Sequence, residues 1–420
     1  MRAERVELSG WGRTAPSVAS LVDVMPSELR TGGVTPEGLD GGRGVIARGL
    51  GRSYGDPAQN GGGTVVRVGP GAIVLDDERG TVRVGAGVSL DELLRHIVPR
   101  GWFVPVTPGT RFVTVGGCLA SDIHGKNHHA DGSFGAHVAA MSMMLADGEI
   151  VEITPASDPD LWWATIGGMG LTGIVLDAVV RLIPIQTSRC LVDTQRVPHL
   201  DSLIDEMSAR DDDYRYSVAW IDLVATGAGL GRAVLTRGDH ATLDQLSALT
   251  PKAAAEPLAF SPGTIADVPP YVPNVLNRLA VRAFNEVWYR KAPLDHRSVE
   301  TITGFFHPLD MVGRWNRLYG GAGFLQYQFV VPFDATDTLR EVVDRVASSG
   351  HASFLAVLKR FGPESGGMLS VPTPGWTLTL DLPAGMHGLG TLIADLDRLV
   401  LDAGGRHYLA KDATASPDLV

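Results

Sequence analysis

Between residues 44 and 84 short apolar runs alternate with glycine-rich turns: Gly44-Val-Ile-Ala47, Thr64-Val-Val-Arg-Val68, Ala72-Ile-Val-Leu75 and Thr81-Val-Arg-Val84. Short valine- and isoleucine-rich runs bounded by turn residues predict strands. Ser89-x-x-Glu92 then precedes Leu93, Leu94 and Ile97. That is a capping-box match ahead of helical spacing, and it predicts a helix opening at Ser89. Ile174 to Ile183 predicts the strand that closes this first, mixed region.

From about Gln186 the texture changes. Tyr216-Ser-Val-Ala-Trp-Ile221 and Phe324-Leu-Gln-Tyr-Gln-Phe-Val-Val331 alternate side-chain type, as half-buried antiparallel strands do. Leu339, Val342, Val343 and Val346 share one helical face, as do Leu389, Leu392, Ile393, Leu396 and Val400. Gly350 and Gly404 close these helices in the manner of left-handed caps. The pattern predicts one sheet backed by helices. Between Pro251 and Lys291 a segment rich in Pro and Ala interrupts it, with a helix expected over Val275 to Val287 and the remainder either a flap or disorder.

Composition narrows the function. The 420 residues carry 36 Lys and Arg against 47 Asp and Glu, a net charge of −11 with no basic stretch, which argues against nucleic-acid binding. Cys118 and Cys190 are the only cysteines, too few for a disulfide framework or a four-thiolate metal site. Glycine accounts for 51 of the 420 residues, about 12% against a usual ~7%. The excess gathers in the first 175 residues, where backbone is expected to pack closely on a ligand. No apolar run approaches the roughly 18 residues of a membrane span, and Met1 to Ser17 has no apolar signal core. These features predict a cytoplasmic protein, or one peripheral at the inner membrane, with the periplasm as the alternative.

Two loops carry the candidate chemistry. Ala47-Arg-Gly-Leu-Gly-Arg-Ser-Tyr-Gly-Asp56 follows a predicted strand, and successive Gly and Ser residues there present backbone N–H groups fit for phosphate oxygens. Pro108 to Lys126 contains Gly116-Gly117, which lets backbone approach a flat or charged group. Together they favour a bulky, phosphate-bearing cofactor over two turns that glycine makes costly. Gly168-Met-Gly-Leu-Thr-Gly173 has dinucleotide-fingerprint spacing but lies between a predicted helix and a strand, the reverse of the required order. The His124-Gly-Lys-Asn-His-His129 segment lacks helical ligand spacing and reads as a polar wall rather than a metal site. Lys359, Lys411, His124 and Tyr327 are the candidates for proton transfer, since apolar neighbours lower a lysine's pKa.

The two loops resemble those of vanillyl-alcohol-oxidase-type flavoproteins. Ser9-Gly-Trp-Gly-Arg-Thr-Ala-Pro-Ser17, Ile123 to His129, Phe305-Phe-His-Pro-Leu-Asp310, Phe324 to Phe329 and Gly375-Trp376 are similar to one family within that fold. This is the decaprenylphosphoryl-β-D-ribose 2′-oxidase family, and the resemblance runs from Ser9 to Lys411. It implies an α+β, two-domain fold: an FAD-binding domain over 1–187, an antiparallel-sheet substrate domain over 188–404, and a return segment over 405–420. It also implies oxidation of the ribose C2′ hydroxyl of a polyprenyl-phosphate sugar to a 2′-ketone. An NADH-dependent short-chain reductase would complete the epimerisation to the arabinose precursor of cell-wall arabinan. Lys411 and His124 are the implied catalytic residues. Lys126, Tyr54, Gln326, Gln328, Lys359 and Thr379 are the implied substrate contacts. FAD would be held by Ala47, Arg48, Gly49, Leu50, Gly51, Arg52, Ser53, Tyr54, Gly55, Asp56 and Pro57. Gly109, Thr114, Val115, Gly116, Gly117, Ser121, Asp122, Ile123 and His124 would add to that site, with Val175 and Tyr408 closing over it.

Many relatives in the wider fold attach FAD through a His in a Gly-His-Ser element. Gly51-Arg52-Ser53 stands there in this chain, so non-covalent FAD is expected. Thr379 replaces a cysteine frequent in the family, so inhibitors that trap that thiol should not react. Thr377 replaces an Asn and Phe306 an active-site Tyr, which alters the expected pocket hydrogen bonding. Relatives also continue beyond the Lys411 region, whereas this chain stops at Val420, and a weaker hold on flavin is expected. The alternatives are a soluble aldonolactone- or alditol-type FAD oxidase using molecular oxygen and a flavin-binding protein with little catalysis. The peripheral membrane contact is assigned to the 251–291 segment.

Overall fold

Valine-rich strands that lack a polar alternate end up covered on both faces, and Val65 and Val66 are fully buried. They lie on β4 (Thr64–Val68), which runs parallel to both β2 (Ser17–Val24) and β3 (Val45–Arg48); β1 (Glu4–Leu8) completes the sheet in the order β1-β2-β4-β3. The computed structural model of the chain describes residues 3–32, 42–272, 276–351, 353–411 and 414–415.

A second, antiparallel sheet has the order β5-β6-β10-β8-β9. Its strands are β5 (Ile73–Asp76), β6 (Thr81–Gly85), β8 (Val138–Met144), β9 (Ile150–Ile153) and β10 (Ile174–Arg181). β7 (Trp102–Phe103) pairs with β11 (Ile183–Pro184). The expected helix spans Leu90–Ile97. Ser89 Oγ accepts from the Glu92 N–H while the Glu92 carboxylate accepts from the Ser89 N–H at 2.8 Å. This exchange satisfies two otherwise unpaired donors, and Leu90, Leu93, Leu94 and Ile97 fill the core below.

The third sheet has eight strands in the order β16-β12-β14-β13-β19-β20-β18-β21. They are β12 (Arg189–Val197), β13 (Tyr216–Ile221), β14 (Ala233–His240), β16 (Asp295–Thr301), β18 (Phe324–Val331), β19 (Ala356–Phe361), β20 (Gly375–Pro383) and β21 (Arg406–His407). A short parallel pair, β15 (Ala266–Asp267) and β17 (Val312–Gly313), lies outside it. Both regions therefore combine helices with sheets, and the fold is α+β. Cys190, Val192, Tyr216, Phe305 and Phe306 join Leu93, Phe103 and Ile97 in one core, so the second and third sheets share buried surface.

Alternation decides what the third sheet presents. Leu358, Leu378, Leu380 and Leu382 pack against the helices Leu200–Arg210, Thr336–Ser348 and Leu389–Asp402. The alternate positions on the same strands therefore face the other way: Lys359 on β19, Gln326 and Gln328 on β18, and Thr377, Thr379 and Asp381 on β20. Register confirms the shared face, because Gln326 opposes Asp381, Gln328 opposes Thr379 and Lys359 opposes Thr377.

The 251–291 segment holds a short helix at Pro251–Ala254, β15 and a helix at Arg278–Lys291. The helix expected from Val275 opens later, where the Asn277 side chain accepts from the Ala280 N–H; Pro273 and Val275 lie outside the described residues. Gly350 and Gly404 take positive φ, 83° and 71°, as expected for left-handed caps. Among the described residues no helix is long and apolar enough to cross a membrane.

Asp122 fixes the turn after the second glycine loop. Its backbone sits at φ 38°, unusual for a non-glycine residue. Its buried carboxylate accepts from Ser133 Oγ at 2.8 Å, Ser370 Oγ at 2.7 Å and the Gly135 N–H at 2.9 Å. Asp122→Ala strands the buried Gly135 N–H, which alone costs about 1–3 kcal/mol. We expect a loss of about 3 kcal/mol in urea unfolding, and a variant as stable as the parent would contradict this role.

Candidate active site

The first glycine loop is clamped from below by the N-terminal segment. The Trp11 and Gly12 N–H groups donate to the Ser53 and Tyr54 carbonyls at 2.7 and 3.3 Å, and Arg48 donates to the carbonyls of Ser9 at 2.6 Å and Ala58 at 2.9 Å. A Cβ on Gly10 would collide with the Gly55 carbonyl, so the Gly-Trp-Gly element needs its first glycine for this approach. The N–H groups of Leu50, Gly51, Arg52 and Ser53 have no partner among the described residues. Gly51 has φ 65°, the left-handed conformation that a nest of consecutive amides uses to hold an anion.

The second loop is built differently. Thr114 Oγ1 accepts from the Gly117 N–H at 3.2 Å, while the Gly116 and Val115 N–H groups donate to Ala86 and Val88 carbonyls at 2.8 and 2.9 Å. These three amides are spent inside the chain. Gly116 packs over Ala86, whereas a Cβ on Gly109 would meet open space. The loops touch at Gly49, where a Cβ would collide with Thr114 Oγ1. Ile123 is buried, Leu50 and Asp56 are exposed, and Pro57 is half-buried. Val175 is half-buried on β10 beside a register shift. An unpartnered row of amides beside a glycine-lined wall fits a pyrophosphate followed by a flat ring system, which is the shape of FAD.

Opposite the loops stands the polar face of the third sheet. His124 is buried, with Nδ1 3.1 Å from Lys359 Nζ and Nε2 2.9 Å from the Gln328 side-chain amide, which also lies 3.2 Å from Thr377 Oγ1. Burial, and then the Lys359 charge, hold His124 well below the ordinary imidazole pKa, so it is neutral. Tyr408 packs 5.2 Å from the His124 ring and donates to the Ser121 carbonyl at 2.8 Å.

A second cluster adjoins it. Asp381, fully buried, accepts from Gln326 Nε2 and from Tyr319 Oη at 3.1 Å. Lys411 Nζ sits 3.9 Å above the Tyr54 ring, and the Tyr54 N–H donates to the Ala410 carbonyl at 2.9 Å. Burial pushes Lys411 down to about 7, opposed by the Asp381 charge, and pushes the Asp381 carboxyl up to about 7, opposed by Gln326, Tyr319 and Lys411. Lys359 also falls to about 7 through burial and the neighbouring Lys411 and Lys126 charges. The buried Gln326 Oε1 has no partner among the described residues, an open acceptor on this face.

One expectation is corrected. Tyr327 lies on the helix-facing side of β18, donating to Asp397 at 2.9 Å, and takes no part in this face. Phe306, which has no hydrogen-bonding group to offer the pocket, is packed against Phe103, Tyr216 and His240 in the core. Lys126 points to the Phe305 carbonyl and ring, where burial lowers its pKa to about 8 against the Glu300 charge. Thr379 lies half-buried on the polar face. The other histidines are dispersed: His129 and His137 bond backbone carbonyls, and His128 accepts from the Gly362 N–H at 3.0 Å. Among the described residues no three His, Cys, Asp or Glu side chains converge as metal ligands. Asp381 was not singled out from sequence, although Thr377, Thr379 and Asp381 alternate with leucines and mark one polar face.

Residues 40–154 match the FAD binding domain family. The decaprenylphosphoryl-beta-D-ribose oxidase of Mycolicibacterium smegmatis is 47% identical over 418 residues, covering 98% of this chain and 90% of that protein. An uncharacterized protein in the mprA 5′ region of Streptomyces coelicolor is 38% identical over 343 residues, 79% of this chain and 91% of its own length. Human Delta(24)-sterol reductase shares 31% identity over 110 residues, 26% of this chain and 21% of that one. FAD is the cofactor. Arg52, whose Cζ lies 3.8 Å from the Trp11 ring centre, offers no imidazole for a flavin bond. Denaturing the purified protein should therefore release all yellow colour into the supernatant; colour retained in the pellet would contradict non-covalent binding.

Proposed function

The chain belongs to the decaprenylphosphoryl-beta-D-ribose oxidase family, and from this premise we propose that it oxidises the C2′ hydroxyl of a polyprenylphosphoryl ribose to the ketone. The observation that carries the reading is the sheet face on which Lys359 and Gln328, and then Asp381 and Gln326, meet His124 of the second FAD loop and Lys411 of the return segment. FAD, when bound, supplies the acceptor for the hydride leaving C2′. The unpartnered amides of Leu50 to Ser53 would hold its pyrophosphate, with Gly109, the Thr114–Gly117 wall and Tyr408 around its ring system.

Oxidising an alcohol removes a proton from oxygen as well as a hydride from carbon. Lys411 is the base: burial lowers its pKa to about 7, which makes the neutral amine accessible at neutral pH. Asp381 beside it offsets the positive charge that Lys411 gains with the hydroxyl proton. Gln326 Oε1 accepts from a sugar hydroxyl and so fills its empty acceptor position. Lys359, held by His124, provides the cation for the substrate phosphate, with Lys126 at the edge of the same face. Tyr54 forms the apolar floor under Lys411.

The ketone product requires a hydride-donating partner if the sugar is to be epimerised. An NADH-dependent short-chain reductase fits that requirement and makes the chain the first half of arabinose formation for cell-wall arabinan. The domain division at 187/188 and a peripheral position at the membrane belong to the same reading.

Lys411→Met should keep FAD bound yet slow flavin reduction by polyprenylphosphoryl ribose by roughly 10²–10⁴-fold, the usual contribution of a general base. In the parent, kcat/KM should rise as pH increases through about 7, because deprotonation creates the reactive amine; that limb should vanish in the variant. Unchanged bleaching by Lys411→Met would remove Lys411 from the chemistry.

A further inference from the structure

The helix Arg278–Lys291 is inside out. Its inward side is anchored by polar contacts: Asn285 donates to Asp222 Oδ1 at 2.7 Å, and Glu286 pairs with Arg232 at 2.6 Å. Its outward side carries an apolar ridge beside the exposed Glu286–Arg290 ion pair. Leu279, Ala283 and Val287 form a ridge at i, i+4 spacing, with Leu279 79% and Val287 65% exposed. Beside the ridge Phe284 and Trp288 stack at 6.0 Å, both more than two-fifths exposed. A soluble helix is expected to show the opposite arrangement.

Charge selects the occupant of this face. Arg278, Arg282 and Lys291 flank the ridge, and none is ion-paired among the described residues. They form a local positive collar on a chain whose net charge is −11. An apolar ridge with exposed aromatics, ringed by cations, has the composition of a helix lying in the interface of an anionic bilayer. Position agrees. Val281 on the buried side belongs to the cluster that contains Tyr54 and Tyr319, the side chains touching Lys411 and Asp381. The buried side of the helix and the side chains that touch the proposed catalytic groups therefore belong to one apolar cluster.

We propose that the outward face of this helix docks the protein on an anionic lipid surface, seating the site beside the bilayer in which its substrate resides. The inference rests on the lipid-linked substrate reading only for that last clause. The apolar ridge inserts below the headgroups, and Arg278, Arg282 and Lys291 contact lipid phosphates. A second copy of the chain would bury the ridge equally well but would bring two positive collars together.

The test is co-sedimentation of the flavin-loaded full chain with phosphatidylcholine vesicles and with vesicles containing phosphatidylglycerol, alongside Leu279→Glu/Val287→Glu and Arg282→Gln/Lys291→Gln. Binding should require phosphatidylglycerol. It should weaken at least tenfold in the first variant and roughly fivefold for each charge removed in the second. Both variants change exposed positions and should keep the parent melting temperature and its flavin reduction by a short-chain, water-soluble prenylphosphoryl ribose. Retained binding by the Glu variant, binding indifferent to lipid charge, no binding to either vesicle, or a parent dimer that this variant converts to monomer would each overturn the proposal. Failure of the soluble substrate to reduce the parent's flavin would instead overturn the substrate reading and leave vesicle binding as its own measurement.

Discussion

Three neighbouring strands, β18, β19 and β20, spend one set of alternate positions on the helix layer and so must turn the other set toward the glycine loops. Leu358, Leu378, Leu380 and Leu382 are fully buried against helices. A slip of one residue would place Lys359, Gln328 and Asp381 in that apolar core, where an unpaired charge or amide is costly. The core thus fixes the register, and the register assembles the site. The chemistry inherits its geometry from leucines that never touch substrate.

The polar face is itself expensive. His124, Asp381 and Gln326 are all buried, and two lysines are pushed near neutrality. The hydrogen-bonded groups pair off: Lys359 with His124, His124 with Gln328, Gln326 with Asp381, Asp381 with Tyr319. What is left open is an acceptor on Gln326 and cationic heads with no bonded carboxylate, the complement of a hydroxylated, phosphorylated sugar. The first loop leaves open the opposite chemistry, a row of N–H donors, which suits the pyrophosphate of FAD.

Much of this was legible in the chain. Thr64–Val68, Tyr216–Ile221 and Phe324–Val331 are strands with the bounds their alternation suggested, and Ser89 opens its helix through the expected exchange with Glu92. Motif resemblance reached the family. Tertiary effects were not legible. Gly116 and Val115 look like free donors until Ala86 and Val88 accept from them. Tyr327 sits between two pocket glutamines in sequence, yet strand geometry puts it on the far face. Phe306 lies in an aromatic core with Phe103 and Tyr216. Asp381 was readable by the same two-residue period that misplaced nothing else on β20. The inverted helix Arg278–Lys291 gave mixed signals because its apolar stripe is real but faces solvent.

The central claim is that this face recognises a lipid-linked phosphorylated sugar and delivers its C2′ hydrogen to FAD. The most direct measurement is anaerobic flavin bleaching by polyprenylphosphoryl ribose, compared with free ribose, aldonolactones and alditols. The account predicts rapid loss of the flavin absorbance with the lipid-linked sugar and none with the free compounds. Bleaching by free sugars or alditols, with the lipid-linked sugar inert, would contradict it.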